Sequence, residues 1–313
     1  MSIRKAAVID MGTNTFHLLL VELNGIGFKT IYKEKIPVKL GQGGISQNLL
    51  APDAQKRAFH TLKHFKNLID GEKIDQIFAF ATSAVRNAEN GMAFVHEVKE
   101  TLGIEINVIS GIEEAQLIYE GIKLSGSLNG HVNLMMDIGG GSVEFIIGTY
   151  EEVFWKQSFE IGGQRLLDLF HYHDPILPEE VEKLEAYLAG KLTTLLEAIE
   201  KYKPSGLIGA SGTFDTLTDI YYESMLQCKL TGQHVFELPR VEFERIHLEL
   251  LTKNREERLV IPGMIAMRVD MIVVASSLIE FILRFVPVDC ICCSHYALKE
   301  GAISTLLQKT EIA

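Results

Sequence analysis

Hydrophobic and polar positions change period repeatedly along the chain, and the change sorts it into strands and helices. Residues 6–9 and 16–22 are apolar runs around a glycine-containing turn, which predicts two strands. From 53 to 69 the period lengthens, and Ala58, Leu62, Phe65 and Ile69 fall on one helical face. A strand is expected over 74–81, helical sequence over 83–102, a strand over 104–109 and a helix over 111–123. The alternation resumes with strand, turn and strand over 133–148, a long charged helix from Pro178 to about Lys201, and a strand over 206–210. An apolar helix over 264–284 with Arg268 and Asp270 inside it, a strand over 288–293 and a helix from about Ala297 complete the pattern. Strands alternating with helices in this way define an α/β protein.

At 313 residues the chain exceeds the size at which one core usually divides, so two domains are expected. The Gly/Ser/Asn cluster Ser125-Gly-Ser-Leu-Asn-Gly130 is the sharpest local shift in composition and marks the border. The expected division is 1–125 and 126–313, with the last helix, about 300–313, free to pack back on the first domain. Hydrophobic residues at 47% and charged residues at 23% exclude a disordered or collagen-like chain. The 30 Lys and Arg against 41 Asp and Glu leave a formal charge of −11, which argues against a broad basic face and against nucleic acid as partner. No run approaches the roughly 20 apolar residues of a membrane span. The opening Met1-Ser-Ile-Arg-Lys5 leads into strand-like sequence rather than a signal peptide, so a cytoplasmic protein with no membrane partner is expected. Of the 4 cysteines, Cys290, Cys292 and Cys293 crowd together without the spacing of a disulfide framework or a metal site, and they are expected in the core.

An internal repeat changes the picture. Asp10-Met-Gly12-Thr13-Asn14-Thr15 and Asp137-Ile-Gly139-Gly140-Gly141-Ser142 each leave an apolar strand and enter another, with Asp on Asp, Gly on Gly and Thr on Ser. Two homologous halves facing each other across a cleft are the expected architecture. Glycine leaves backbone N–H groups unshielded, so an anionic oxygen can approach the main chain, while Thr13, Asn14 and Ser142 add side-chain donors. Asp10 and Asp137 are the wrong charge for phosphate but suit magnesium or its water shell. Each loop alone is most often just a hairpin turn; the repetition shifts the reading towards a phosphate and Mg2+ site. A third element, Ser211-Gly212-Thr213, carries an apolar strand into helical sequence, which aims free N–H groups and the positive helix end at an anion or simply supplies an N-cap.

Two further residues stand out. Ser83 is an expected N-cap, which puts Arg86 in a first helical turn, where a cation opposes the macrodipole unless it meets a phosphate or a local acid such as Glu89. Ser110 and Glu113 have the spacing of a capping box. That leaves Glu114 as either a solvated helix residue or a carboxylate able to take a proton from an attacking water. Lys29, Lys33, Lys35 and Lys39 read equally as the lining of a channel and as ordinary surface, and the His171-Tyr-His-Asp174 segment reads as loop surface.

The order of Asp10-Met-Gly-Thr-Asn-Thr15, Ala81-Thr-Ser-Ala-Val-Arg86, Ser110-Gly-Ile-Glu-Glu-Ala115, Asp137-Ile-Gly-Gly-Gly-Ser-Val-Glu144 and Gly209-Ala-Ser-Gly-Thr213 resembles the exopolyphosphatase and guanosine pentaphosphate phosphatase (Ppx/GppA) family over nearly the whole chain. The resemblance implies two ribonuclease-H-like domains of the actin, sugar kinase and Hsp70 superfamily. It also implies Mg2+-dependent hydrolysis of the terminal phosphoanhydride of polyphosphate or guanosine pentaphosphate (pppGpp). Glu114 would be the general base, with Asp137 and Glu144 at the metal and catalytic water, Asp10 beside them, and the loops and Arg86 on phosphates; Arg86 and Glu144 count with Glu114 as catalytic. Guanosine penta- or tetraphosphate as ligand and a homodimer are implied by the resemblance alone. His17 and Lys299 stand where the family often carries arginine. Longer relatives continue into an HD-type helical domain for which 313 residues leave no room. A kinase on the same fold and a non-catalytic alarmone-binding regulatory module are the alternatives.

Overall fold

The computed structural model describes residues 4–24, 27–74, 76–226, 229–230 and 232–311; Asp75 and Cys228 lie outside them. The chain divides into two compact units, the first comprising Met1–Gly121, Gly139–Gly141 and Leu298–Ala313, the second Ile122–Ile138 and Ser142–Ala297.

Unit 1 is built on strands β1 (Arg4–Met11), β2 (Thr15–Leu23), β3 (Phe28–Pro37), β4 (Gln76–Ala81) and β5 (Ile106–Val108), in the sheet order β3-β2-β1-β4-β5. β1 to β3 form an antiparallel meander, whereas β4 and β5 join in parallel after helical crossovers. The helices are α1 (Pro52–Gly71), α2 (Ser83–Asn87), α3 (Gly91–Leu102), α4 (Gly111–Ser125), which runs on into unit 2, and α12 (Leu298–Glu311). Alternation along β1 directs Ala7, Ile9 and Met11 towards α1 and α3, and Ala6 and Val8 towards Ala302 and Ile303 of α12. Asp10 shares the α12 face of the sheet. α4 and α12 approach closely because residue 301 is glycine: a Cβ there would lie 1.8 Å from the Leu117 carbonyl oxygen.

Unit 2 repeats the plan. Its strands are β6 (Asn133–Ile138), β7 (Val143–Gly148), β8 (Val153–Phe159), β9 (Gly206–Ala210), β10 (Val235–Pro239) and β11 (Cys290–Ser294), in the order β10-β11-β9-β6-β7-β8. Removing β10 leaves β8-β7-β6-β9-β11, the strand order of unit 1, so the two halves share one plan, as the repeat implies. Around the sheet run α5 (Gly163–Phe170), α6 (Pro178–Lys191), α7 (Thr193–Tyr202), α8 (Ser211–Ser224), α9 (Arg240–Thr252), α10 (Arg255–Leu259) and α11 (Met271–Leu283). α11 is apolar on all sides and nearly all of it is buried, which makes it core.

Several boundaries differ from the pattern-based expectation. The helical stretch 83–102 breaks at Ala88–Asn90, where the Glu89 amide bonds to the Asn48 carbonyl instead of continuing a helix. The stretch 178–201 breaks at Leu192. The apolar helix starts at Met271 rather than 264; ahead of it residues 266–270 form turns, and Gly263, at φ +85°, packs against the α8 backbone. Arg268 and Asp270 therefore precede α11 instead of lying inside it. Cys293 is buried and Cys290 and Cys292 are half-buried, all three as free thiols, and burial pushes the Cys292 thiol up to about 11.

Candidate functional site

In unit 1, Asp10 sits near the end of β1, opposite His17 on β2, as expected of a strand histidine. The turn that follows is closed by the Gly12 amide donating to the Thr15 carbonyl at 3.1 Å, and a Cβ on Gly12 would meet that oxygen at 3.0 Å. Thr13 and Asn14 are buried, at 3% and 9% exposure. Their carbonyls accept from the Gly41 and Lys39 amides at 2.9 and 2.8 Å, which pins the loop. Gly139–Gly141 clusters with this unit. A Cβ on Gly140 would come within 2.8 Å of Asn14 Nδ2, and one on Gly141 within 2.5 Å of both Thr13 Oγ1 and Ser83 Oγ. The glycines of the second loop are thus required by close approach to the donors of the first.

Glu114 lies in the first turn of α4 and is buried, with its side chain 9% exposed. The expectation of a possible solvated helix residue fails for it. Arg86 donates from Nη1 to Glu114 Oε2 at 2.8 Å and to the Ile109 carbonyl at 3.1 Å, rather than pairing with Glu89. Arg86 falls in the last turn of the five-residue helix α2, whose N-cap is Thr82; Ser83 is inside the helix and accepts from Asn87 Nδ2 at 3.2 Å, so it is not the cap the sequence suggested. The Ser110–Glu113 capping box is present, with bonds of 2.8 and 3.2 Å that hold the Glu113 carboxyl below its usual range and fix the turn carrying Glu114. Lys299 pairs with buried Glu300 at 3.2 Å.

In unit 2, Asp137 and Glu144 are register partners on β6 and β7, and both are buried. Ser211 Oγ donates to Asp137 Oδ2 and Ser158 Oγ to Glu144 Oε1, each at 2.6 Å. Ser211 holds φ +69° at the start of α8, a conformation disfavoured for a side-chain-bearing residue; the Asp137 bond helps to hold it there. Gly212 leaves room for the Arg268 guanidinium, which a Cβ at that position would displace. Arg268 is 9% exposed, and its Nε has no hydrogen-bond partner among the described residues. Burial lowers its pKa, opposed by the nearby charges of Asp215 and Asp137. Thr213 and Ser142 are buried at 2% exposure.

The two carboxylates of unit 2 are hard oxygen donors, a set that suits magnesium, which commonly takes one or two carboxylates and keeps several waters. Among the described residues no group of three or more His, Cys, Asp or Glu is arranged to hold a metal. The fit is therefore to a pair of carboxylates, not to an all-protein cage. Pattern reasoning assigned no role to Ser158 and Arg268. The only signal for Arg268 was a charge within an apolar run; Ser158 gave none.

Two α/β units of one strand order, with a glycine-bearing turn after the central strand of each sheet and buried acids held by hydrogen-bond donors, define a duplicated α/β fold. Residues 20–310 match the model of the Ppx/GppA phosphatase family, and the chain belongs to that family. It is 42% identical to an exopolyphosphatase from Cytophaga hutchinsonii of known structure, with a TM-score of 0.95 and 98% of each chain covered. A family member from Aquifex aeolicus, at 24% identity and a TM-score of 0.83 over 99% of each chain, shares the fold. A guanosine-5'-triphosphate,3'-diphosphate pyrophosphatase from Vibrio vulnificus is 30% identical over 298 residues, which cover 94% of this chain but 58% of that protein. No helix among the described residues is long and apolar enough to cross a membrane.

Proposed function

We propose that the protein hydrolyses the terminal phosphoanhydride of inorganic polyphosphate or of pppGpp, in the cytoplasm and as a homodimer, with Glu114 as general base. The observation that carries this reading is the part-buried Arg86–Glu114 pair at 2.8 Å, in the same unit as the Gly140–Gly141 backbone that packs on Thr13, Asn14 and Ser83. An incoming phosphate is a better partner for a guanidinium than one carboxylate oxygen, because it offers bidentate acceptors. When Arg86 turns to phosphate, Glu114 is left as a carboxylate with an acceptor oxygen for water. The water oxygen then attacks the terminal phosphorus, its proton passes to Glu114, and the P–O bond to the bridging oxygen breaks with the electron pair leaving on the shortened chain. Orthophosphate is the other product.

In unit 1 the turn carrying Thr13 and Asn14 and the Gly139–Gly141 loop offer N–H groups to phosphate oxygens; in unit 2 the Ser211–Thr213 helix start and buried Arg268 beside Gly212 offer N–H groups and positive charge to an anion. Asp137 and Glu144 would hold magnesium, which when bound supplies charge neutralisation at the leaving oxygen. Ser211 and Ser158 hydrogen-bond to those two carboxylates and help to hold them in place. The names borne by the curated and structural relatives support both candidate substrates.

Purified protein incubated with polyphosphate, pppGpp and ATP in the presence of magnesium should release orthophosphate from one or both of the first two. Glu114→Gln should abolish release while leaving binding intact. Release unchanged by Glu114→Gln would remove the base assignment, and tight binding of pppGpp with no turnover would make the protein a regulatory module.

A further inference from the structure

A groove between α1 and α3 of unit 1 takes no part in the proposed chemistry. Its volume is about 510 Å³, inside the roughly 300 to 1,000 Å³ of small-molecule sites. α1 lines it with Pro52, Gln55, Lys56, Phe59, His60 and Lys63, spaced three and four residues in turn along a single helical face. α3 adds Phe94 and Glu97, about one turn apart. That face of α1 is not the one given to the core, which carries Ala58, Leu62, Phe65 and Ile69. Phe94 is buried and Phe59 half-buried, whereas Lys56, His60, Lys63 and Glu97 are exposed, so the floor is apolar and the rim charged. Along α1 the two lysines lie about one helical turn to either side of Phe59. Gln55 is committed elsewhere, its Nε2 donating to the Leu50 carbonyl at 2.8 Å. Lys56 meets Asp53 at 3.6 Å with both side chains largely exposed, a contact that a phosphate readily replaces. Among the described residues no ion pair or side-chain hydrogen bond is found for His60, Lys63 or Glu97.

We infer that this groove binds a nucleoside monophosphate, with the base stacked on Phe59, the phosphate on Lys56 or Lys63, and the Glu97 carboxylate accepting from a base N–H group. An aromatic face, two point charges and one acceptor are complementary to a planar ring that carries donors and an anionic tail. Each simpler anion fits less well. Inorganic phosphate has no ring to cover Phe59, and an inorganic polyphosphate chain brings negative charge against Glu97, which a base N–H would satisfy. The site is separate from the proposed hydrolysis and goes beyond it. The competing explanation is that these residues are the solvated face of a surface helix, with Glu97 there only to balance the lysines.

Isothermal titration of the full chain with AMP and GMP, beside inorganic phosphate and tripolyphosphate, separates the two. Expected for at least one nucleotide is saturable binding with a dissociation constant on the order of 10⁻⁵ M, usual for a ligand of this size. Phe59→Leu and Lys63→Gln should each weaken it about tenfold. Glu97→Gln should narrow the margin between the nucleotide and tripolyphosphate, and Arg86→Gln should leave nucleotide binding unchanged. Melting temperatures of Lys63→Gln and Glu97→Gln should match that of the unmodified protein, because both positions are exposed. Three results would overturn the inference: no binding of either nucleotide at millimolar concentration, binding lost in Arg86→Gln but kept in Phe59→Leu and Lys63→Gln, or tripolyphosphate held by the same lysines as tightly as the nucleotide. Since binding is read without turnover, a failure to release phosphate would remove the hydrolase reading and leave the groove as it stands.

Discussion

The two units share a strand order but hold their buried acids in opposite ways. In unit 1 the Glu114 carboxylate meets a guanidinium, 2.8 Å from Arg86. In unit 2 Asp137 and Glu144 meet hydroxyls at 2.6 Å, from Ser211 and Ser158. A guanidinium cancels a carboxylate's charge and releases it only when a better anion arrives; a hydroxyl orients a carboxylate and leaves its charge available to a cation. Duplication of one fold therefore gives halves whose acids meet different hydrogen-bond donors, with the Arg268 charge also near Asp137 in unit 2, and the division of labour proposed for hydrolysis rests on those donors.

The sharpest test sets one half against the other. Glu114→Gln should lower kcat by about 10²- to 10⁴-fold, the usual contribution of a general base, with little change in KM. Asp137→Asn should instead raise the magnesium concentration needed for half-maximal rate. Isothermal titration of magnesium in the presence of a non-hydrolysable phosphate analogue reads the second effect without turnover. A magnesium dependence moved by Glu114→Gln and not by Asp137→Asn would invert the comparison.

Much of this division was legible before the fold, and the parts that were not share a cause. The central strands showed because they are buried on both sides and continuous in hydrophobicity, as in Leu134–Ile138 and Leu207–Ala210. The repeat showed because Asp10 and Asp137 precede glycines that close approach requires. Strands β3, β8 and β10 escaped notice: each is a sheet edge with mixed burial, so its pattern is diluted by solvent-facing positions. Arg86 and Glu114 were each legible as candidates, but their contact spans 28 positions and no local period encodes it. The His171–Asp174 segment was read as surface, yet its first and last side chains enter a buried ion network that only tertiary packing creates.

That network supplies the next largest effect. Arg258 is fully buried, donating to Asp174 Oδ1 at 2.6 Å and to the Lys253 and Val269 carbonyls, with the His171 side chain, 5% exposed, beside Asp174 at 3.7 Å. Asp174→Ala leaves the guanidinium without its closest carboxylate and should cost about 3 kcal/mol, the low end for a broken buried pair, because the Asp174 side chain is one-third exposed. Urea denaturation of the full chain measures it. The Arg86–Glu114 pair should behave differently: Arg86→Gln should lose more activity than stability, since that pair is built to open. A stability loss for Arg86→Gln matching that of Asp174→Ala would erase the distinction between a structural and a working ion pair.

Unit 2 should also carry a pH term. His247 stacks on Phe243 and shares a 2.9 Å bond with Ser276 Oγ, and burial pulls its pKa down to about 4, with Glu185 opposing and Arg284 adding to the shift. The folded state favours the neutral ring, so the unfolded state binds more protons between its own pKa near 6.5 and about 4. Stability is then full above about pH 6.5 and falls as pH drops towards 4, by about 3 kcal/mol from this group. His247→Gln should flatten that part of the stability profile. A profile with the same slope in both proteins would locate the acid sensitivity elsewhere.

The smallest effect returns to unit 1 and to how its base is positioned. The Ser110–Glu113 box caps α4 immediately ahead of Glu114, and its two bonds satisfy amides that the first turn would otherwise leave open. Ser110→Ala removes one of them and should cost about 1 kcal/mol of stability. Its effect on kcat should be slight, because Arg86 still holds Glu114 from the other side, bonded in turn to the Ile109 carbonyl. In Ser110→Ala/Arg86→Gln both constraints are gone, and the loss in kcat should exceed the product of the single losses. Two losses that simply multiply would mean that the helix cap and the guanidinium act on Glu114 independently, leaving Arg86 as a phosphate ligand with no part in aiming the base.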